Sequence, residues 1–148
     1  DFCLSRGLGD VYKRQGLDKV IKNLKQPTLG ICLGQQLMCA YSEEGNTDCL
    51  GIFPIQVKLF PSTEIVPHMG WNTIYDLKTP LFNDVQENSD IYYVHSFYCE
   101  NSEYTIAKTD YILEYSAALH KDNFYATQFH PEKSAGIGEQ ILKNFLSL

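Results

Sequence analysis

The chain has 148 residues, of which 44% are hydrophobic and 20% are charged, a composition that excludes a disordered protein. Its formal net charge of −6 argues against a nucleic-acid-binding or membrane-surface protein, because phosphate contacts need clustered lysine and arginine. No apolar run approaches the roughly 20 residues that a membrane-spanning helix needs, and we recognise no signal peptide.

The N-terminal part of the sequence divides into a leader and the start of one domain. Residues 1–15 follow neither helical nor strand periodicity, so we interpret them as a foreign leader, with a poorly ordered native terminus as the alternative. Residues 16–148 are then expected to form a single domain. Apolar spacing predicts a helix over residues 17–25, a buried strand over 28–32 and a second helix over 34–42.

The rest of the chain is rich in predicted strands. They cover residues 55–59, 70–75, 91–95, 104–108, 116–120 and 124–129, the last three as a meander, with a single turn at 80–83. In the first of them Ile55, Val57 and Leu59 alternate with polar residues, which predicts a half-buried strand with these three side chains inward.

A closing helix is predicted at residues 136–146, with Ile137, Ile141, Leu142 and Phe145 facing inward. Near the N-terminal end of the domain, the strand over residues 28–32, a sharp turn and the helix over 34–42 follow one another. This order predicts an α/β layered domain.

A candidate nucleophile lies where the first predicted strand turns into a helix. Cys32 stands between Gly30 and Gly34, and small residues at these two positions are typical of a nucleophile elbow. The helix N-terminus there is expected to lower the thiol pKa, and the backbone N–H of Leu33 is free to stabilise an oxyanion. The alternative for Cys32 is a buried core cysteine, which is the role we expect for Cys39 on the same helix.

A candidate base lies near the C-terminus, at His130 within the segment QFHPE. Pro131 favours an extended conformation of His130, and side chains two apart on an extended chain point the same way. Glu132 is therefore predicted to bind one ring nitrogen of His130 and leave the other facing the thiol. Together these residues predict a Cys32–His130–Glu132 triad.

The five cysteines give no sign of a disulfide framework or a metal site. An odd number without paired spacing predicts reduced thiols and a cytoplasmic protein. No C-x-x-C or H-x-x-x-H pair indicates a zinc site. Hydrolysis by a triad of cysteine, histidine and glutamate needs neither a metal nor an organic cofactor.

Four segments carry a resemblance to a known family: GICLGQQL, PHMGWN, YYVHSFY and ATQFHPEKS. In this order they resemble the glutaminase subunits of imidazole glycerol phosphate synthases, from about Gly16 to the C-terminus. GICLG-x-Q and FHPE are typical of all class I glutamine amidotransferases. PHMGWN, VHSFY and the lysine after HPE narrow the resemblance to the branch of this family that serves histidine biosynthesis. The resemblance implies a three-layer, flavodoxin-like α/β sheet with helices on both faces.

The resemblance also implies roles for individual residues. Cys32 would attack glutamine, His130 would protonate the departing ammonia, and Glu132 would orient His130. The residues expected to bind glutamine are Gly34, Gln36, His95, Ser96 and Phe97. Without the resemblance, His95 would be a strand-end histidine with no role.

The resemblance further implies a partner, a (β/α)8 barrel cyclase that would consume the ammonia in histidine biosynthesis. Trp71, Asn72 and Lys133 match positions near that interface, and the alternative for Trp71 is a plain core aromatic. His68 has no assigned role.

The chain departs from the family pattern at its start. Family members begin with an apolar strand and a Pro-Gly-rich loop that supplies a second oxyanion donor, and we expect both to be missing here. Removing one such donor typically costs roughly 10²–10³ in rate, so weak or absent glutaminase activity and a tendency to aggregate are predicted.

Three other interpretations remain open. The chain is alternatively the glutaminase subunit of another class I amidotransferase, serving anthranilate, guanylate or carbamoyl phosphate synthesis. A thiol hydrolase of the same fold, such as a γ-glutamyl hydrolase, would need no ammonia acceptor. A catalytically impaired fragment would only dock onto a partner enzyme.

Overall fold

A computed structural model describes residues 15–148, and residues 1–14 lie outside the described part of the chain. The interpretation of residues 1–15 as a foreign leader therefore stays a prediction. Within the described range the helices are α1 (Leu17–Lys22), α2 (Leu33–Met38) and α3 (Ala135–Leu146), with short 3-10 helices at Pro80–Phe82 and Pro131–Lys133.

Short strands make up most of the remaining structure. In chain order they are β1 (Thr28–Ile31), β2 (Tyr41–Ser42), β3 (Thr47–Asp48), β4 (Gln56–Leu59), β5 (His68–Ile74), β6 (Ser89–His95), β7 (Phe97–Cys99), β8 (Thr105–Tyr111), β9 (Leu113–Lys121) and β10 (Phe124–Thr127). The predicted meander of three consecutive strands is confirmed, because β9 pairs antiparallel with both β8 and β10.

The strands form three sheets within the described residues. The first has the order β1-β10-β9-β8, the second β3-β2-β4-β7, and the third pairs β5 with β6. In the first sheet β1 runs parallel to β10, so the carboxyl ends of these two strands lie at the same edge. That edge is where both candidate catalytic segments leave the sheet.

Hydrophobic residues cover both faces of the first sheet, because side chains alternate along a strand. On β10, Phe124 and Ala126 pack in one core with Met38 of α2. Tyr125, which lies between them, packs in the other core with Ile141 of α3. The sheet is therefore the middle of three layers, with helices on both of its faces.

The predicted helix bounds were too long at both N-terminal helices. The first was expected to reach residue 25 but ends at Lys22, and the second was expected to reach residue 42 but ends at Met38. The chain is already extended at Cys39, and Tyr41–Ser42 pairs with β3 and β4. Strand pairing at Tyr41–Ser42 thus takes the place of the last predicted helical turn. The apolar spacing of this segment fits a helix and therefore could not predict the strand.

Strands β2, β3 and β7 were not predicted. Phe97–Cys99 follows directly after the Ile91–His95 segment in sequence, yet it pairs with β4 in another sheet. The predicted inward position of Leu59 was also wrong, because its side chain is 52% exposed. The closing helix was placed correctly to within one residue, and Ile141 is fully buried as expected.

Candidate active site

Cys32 occupies a sharp turn between β1 and α2. Its backbone has φ 53° and ψ −105°, a conformation that L-residues rarely adopt outside strained turns. The Cys32 amide donates to the carbonyl oxygen of Thr127 at 2.8 Å, and the Cys32 carbonyl accepts from the Gln36 amide at 3.3 Å to begin the helix. The predicted strand–turn–helix geometry at Cys32 is therefore confirmed.

The two glycines of this turn have different roles. A β-carbon on Gly30 would lie 2.8 Å from the Gly34 carbonyl carbon and 3.0 Å from Met38 Sδ, so only glycine fits. A β-carbon on Gly34 would meet no atom within 4 Å. The expectation of close approach holds for Gly30 alone, and Gly34 faces open space.

The thiol of Cys32 is partly shielded from water. Its Sγ lies 3.9 Å from the Val94 carbonyl oxygen and 3.7 Å from Gln128 Nε2. Burial raises the pKa of the Cys32 thiol above its usual value, the Leu33 backbone N–H lowers it in part, and the Glu132 carboxylate raises it further. The prediction of a lowered pKa was wrong, because desolvation outweighs the hydrogen bond at the helix N-terminus.

His130 and Glu132 form the predicted pair. His130 Nδ1 lies 2.6 Å from Glu132 Oε1, and the imidazole is shielded while the carboxylate is nearly half exposed. His130 is extended, with φ −100° and ψ 94°, as the following proline predicts. The extended geometry does not continue, however, because Pro131–Lys133 forms a 3-10 helix. The carboxylate reaches the ring through this turn and not through strand alternation.

Three hydrogen bonds fix the backbone around His130 to β6. The His130 amide donates to the Tyr92 carbonyl oxygen at 3.0 Å. Ser134 Oγ donates to the His130 carbonyl oxygen at 2.6 Å and accepts from the Tyr92 amide at 2.9 Å. Ser134 is fully buried and had no predicted role.

The two candidate catalytic segments leave adjacent strands at one edge. Ile31 is the register partner of Thr127 in the parallel pair of β1 and β10. Cys32 follows Ile31 directly, and His130 follows Thr127 after two residues. Because the strands are parallel neighbours, the thiol and the imidazole share the carboxyl edge of the first sheet.

The residues expected to bind glutamine are partly engaged with one another. Gln36 is almost fully buried, and its Nε2 donates to the Phe97 carbonyl oxygen at 3.4 Å and to Gln128 Oε1 at 3.2 Å. His95 Nδ1 lies 2.7 Å from the same Phe97 oxygen. The Ser96 carbonyl oxygen accepts from the backbone amide of Phe60, which follows β4. Gln36, His95 and Phe97 thus meet at one carbonyl oxygen.

A buried chain of side chains connects His95 to the surface, and sequence reasoning missed it. Because His95 Nδ1 donates to the Phe97 oxygen, His95 Nε2 accepts from the Tyr115 hydroxyl at 3.0 Å. The Tyr115 oxygen then accepts from His68 Nδ1 at 3.1 Å, and His68 Nε2 accepts from Asn72 Nδ2 at 3.4 Å. Burial lowers the pKa of His95 to about 3 and that of His68 to about 4, so both rings are neutral at neutral pH.

The residues expected at a partner interface lie on or near an exposed face of β5. Trp71 is 55% exposed and Met69 on the same face is 63% exposed, so the core alternative for Trp71 was wrong. The Trp71 ring contacts Tyr92 at 5.9 Å between centroids. Asn72 donates to the Asp110 carbonyl oxygen at 3.1 Å, and Lys133 is exposed.

The other cysteines behave as predicted in the described part of the chain. Cys39 is fully buried in the hydrophobic core, and Cys39 and Cys99, like Cys32, carry free thiols. Residues 15–148 contain no group of three or more potential metal-ligating side chains. None of the helices in this range has the length and apolar character needed to cross a bilayer.

Comparison with known proteins gives a family match and close relatives. Residues 1–148 match the family model of the class I glutamine amidotransferase domain. The imidazole glycerol phosphate synthase subunit HisH of Bacteroides fragilis is 62% identical over 139 residues, which cover 92% of this chain and 71% of that protein. The subunits of the same name from Bacteroides thetaiotaomicron and Haemophilus influenzae are 58% and 45% identical, over 71% and 69% of their lengths.

Solved structures agree on the fold. A putative GMP synthase component from Thermoplasma acidophilum has a TM-score of 0.68 at 21% identity, over 93% of this chain and 64% of that one. A second structure, a glutamine amidotransferase, has a TM-score of 0.69 at 14% identity, over 97% of this chain and 73% of that one. At these identities the likeness shows the fold alone, and it confirms the predicted α/β fold class.

Proposed function

Because this chain belongs to the class I glutamine amidotransferase family, we propose that it is the glutaminase subunit of an imidazole glycerol phosphate synthase in histidine biosynthesis. The single observation that carries the chemistry is the shared sheet edge of Cys32 and His130, with Glu132 bound to the imidazole at 2.6 Å. The reaction converts glutamine and water to glutamate and ammonia. A cytoplasmic location fits the free thiols and remains part of the proposal.

The proposed first half-reaction forms a thioester. His130 Nε2 takes the thiol proton, because Nδ1 is already bound to Glu132, and the Cys32 thiolate attacks the carboxamide carbon of glutamine. The Leu33 N–H, which already contacts the thiol, is placed to donate to the developing oxyanion. The carbon–nitrogen bond then breaks, and the imidazolium returns its proton to the departing ammonia.

The second half-reaction releases glutamate. His130 Nε2 removes a proton from water, the resulting hydroxide attacks the thioester carbon, and the carbon–sulfur bond breaks. The proton returns to sulfur, which restores the resting thiol. Glu132 holds the imidazole in one tautomer throughout and stabilises its charged form.

The glutamine-binding residues have distinct parts in this proposal. Gly34, two residues after Cys32, leaves open space that a β-carbon would enter, and we assign this space to the bound glutamine. Gln36 and His95 hold the Phe97 carbonyl oxygen, so their effect on glutamine comes through the shape of the segment from Ser96 to Phe97. This assigns Gln36 a role in forming the pocket wall.

The proposed partner is a (β/α)8 barrel cyclase that consumes the ammonia. The exposed pair of Trp71 and Met69 offers apolar area next to Asn72, and Lys133 stands beside the catalytic turn. Burial raises the pKa of the Cys32 thiol, and the charge of Lys133 offsets this rise in small part. We place the cyclase on this face.

The test of the proposed reaction is a glutaminase assay of the full chain with and without the cyclase of Bacteroides fragilis. Cys32→Ser and His130→Gln are expected to abolish ammonia release, and Glu132→Gln to reduce it strongly, while Cys49→Ser retains wild-type turnover. Ammonia release that survives Cys32→Ser would refute the thiol mechanism.

The partner face is tested by calorimetric titration of the same cyclase. Trp71→Ala is expected to weaken binding at least tenfold, because a buried tryptophan is typically a dominant contact in an interface. Leu59→Ala removes an equally exposed apolar side chain from another sheet and is expected to bind normally. Equal affinities of Trp71→Ala and Leu59→Ala for the cyclase would show that Trp71 is not part of the interface.

A catalytically impaired docking subunit is the second candidate, and the raised pKa of Cys32 favours it over a fully active one. Acivicin, a glutamine analogue that alkylates active-site thiols, separates the two. Labelling of Cys32 that the cyclase accelerates supports the glutaminase, whereas absence of labelling with saturating cyclase supports the docking role. A glutaminase subunit of another synthase would not bind this cyclase.

A further inference from the structure

Gln128 is a fully buried polar residue beside the nucleophile that the proposed mechanism does not use. It lies between β10 and His130, and its side chain is 0% exposed. Its Nε2 lies 3.7 Å from Cys32 Sγ, and its Oε1 accepts from Gln36 Nε2 at 3.2 Å. Its backbone amide donates to Ala117 of β9 at 2.8 Å, so the residue is fixed at both ends.

The neighbouring hydrogen bonds determine which end of the Gln128 amide faces the sulfur. Gln36 Nε2 donates to the Phe97 carbonyl oxygen, which fixes the NH₂ group of Gln36 on that side. The same NH₂ group faces Gln128, so Gln128 must present its oxygen there. Its own NH₂ group therefore faces Cys32 Sγ as a donor.

A donor at this position acts differently on the two protonation states of sulfur. A thiol is a weak acceptor, whereas a thiolate is charged, and hydrogen bonds to charged groups are stronger than those between neutral groups. The donor therefore favours the thiolate against the desolvation that disfavours it. Burying a glutamine amide is costly unless its groups are bonded, so the amide is held in place by this arrangement.

We propose that Gln128 is a positioning residue that orients and stabilises the Cys32 thiolate, with its own amide held by Gln36. The effect on catalysis rests on the proposed function, while the effect on the thiol does not. The Phe97 carbonyl oxygen, in the segment proposed to bind glutamine, is part of the same arrangement, because Gln36 donates both to it and to Gln128.

The chain contains a matched comparison for this arrangement. Gln35 is also fully buried, and its Nε2 lies 3.4 Å from Cys99 Sγ. Cys99 lies in the hydrophobic core, on β7 of the second sheet, and not at the carboxyl edge of the first sheet where Cys32 lies. Replacing Gln35 thus removes a buried amide donor next to a cysteine without touching the nucleophile.

The experiment measures the pH dependence of alkylation of Cys32 by iodoacetamide in the full chain. Peptide mass spectrometry reads Cys32 separately from the other cysteines, and circular dichroism checks that each variant is folded. Gln128→Met keeps the length and burial of the side chain but removes the donor. It is expected to raise the pH midpoint of Cys32 alkylation by about one unit. Gln35→Met is expected to leave the midpoint at the wild-type value. An unchanged midpoint in folded Gln128→Met overturns the proposal.

A second variant decides the case if Gln128→Met does not fold. Gln128→Glu has nearly the same shape but turns an acceptor or a negative charge towards the sulfur, so the midpoint is expected to rise further. A Gln128→Glu midpoint equal to or below that of the wild type overturns the proposal.

Turnover distinguishes this proposal from the proposed function. If the wild type releases ammonia, Gln128→Met is expected to lower kcat about tenfold with little change in KM for glutamine, since a tenfold change in thiolate fraction corresponds to one pH unit. If the wild type releases none, the proposed function fails, and the alkylation midpoint still tests Gln128 by itself.

Discussion

Gly138 lies so close to Pro131 that a β-carbon on the glycine would overlap the Pro131 carbonyl oxygen and stand 2.7 Å from its carbonyl carbon. The glycine is in the first turns of α3, and the proline begins the 3-10 helix that carries Glu132. This close approach allows the closing helix to support the segment that holds the carboxylate against His130. Sequence reasoning assigned no role to Gly138.

Gly138→Ala is therefore expected to destabilise the protein by about 3 kcal/mol or more, because backbone must move to admit the methyl group. Gly136→Ala is the control on the same helix, since a β-carbon there meets no atom within 4 Å. We expect it to be neutral or to stabilise by up to about 1 kcal/mol. Urea unfolding of the two variants measures the difference, and equal stabilities would contradict the prediction.

The two glycines flanking Cys32 are expected to respond differently to alanine. Gly30→Ala should destabilise by about 1–3 kcal/mol, because the new methyl group would press on the Gly34 backbone and on Met38. Gly34→Ala should leave the unfolding temperature unchanged but raise KM for glutamine, since its methyl group would enter the open space. Thermal unfolding and steady-state kinetics measure these effects. A wild-type KM in Gly34→Ala would show that glutamine binds elsewhere.

Ser134→Ala is expected to loosen the catalytic turn. The buried hydroxyl accepts from the Tyr92 amide and donates to the His130 carbonyl oxygen. Its loss removes both bonds, and the His130 carbonyl oxygen then keeps only the bond from the Lys133 amide at 3.0 Å. The expected cost is about 1–3 kcal/mol, with a lower kcat as His130 shifts. Ser147→Ala is the control, because that exposed hydroxyl bonds only to the Lys143 carbonyl oxygen and should change stability by less than about 0.5 kcal/mol. Chemical unfolding and ammonia release test both variants.

The buried histidines predict a loss of stability in mild acid. The pKa of His95 is lowered from 6.5 to about 3 and that of His68 to about 4, in both cases mainly by burial. Below pH 6.5 the unfolded chain binds protons that the folded chain does not, so the free energy of unfolding falls as pH falls towards 4. Each histidine contributes a slope of at most about 1.4 kcal/mol per pH unit.

This dependence is measured by urea unfolding at a series of pH values. His95→Gln removes one titrating group, so its stability is expected to fall less steeply with acid, whatever its stability at neutral pH. His120→Gln, which replaces a partly exposed ring, is the matched control. Parallel curves for the wild type and His95→Gln would show that His95 does not titrate between the two states as predicted.

Local patterns in the sequence were sufficient for the elements that place the site. The glycines around Cys32 predicted a strand–turn–helix, and the strand pattern before His130 predicted a meander, whose last strand the fold pairs with β1. Pro131 predicted the extended backbone of His130. These features follow from steric limits that each residue and its neighbours along the chain impose on the backbone. Such limits depend only on residue type and order, so they can be predicted from the sequence.

The properties that depend on distant residues were decided by the tertiary structure. The pKa of Cys32 rises because folding removes water from the thiol, which outweighs the local effect of the helix N-terminus that the sequence suggests. Gln128 and Ser134 acquire roles only because Gln36 and Tyr92 are packed against them. The fold requires glycine at position 138 but not at position 34, for a reason that only the neighbouring backbone supplies. Desolvation and packing are properties of surroundings assembled from separate segments, so local spacing determines the elements and tertiary packing determines their chemistry.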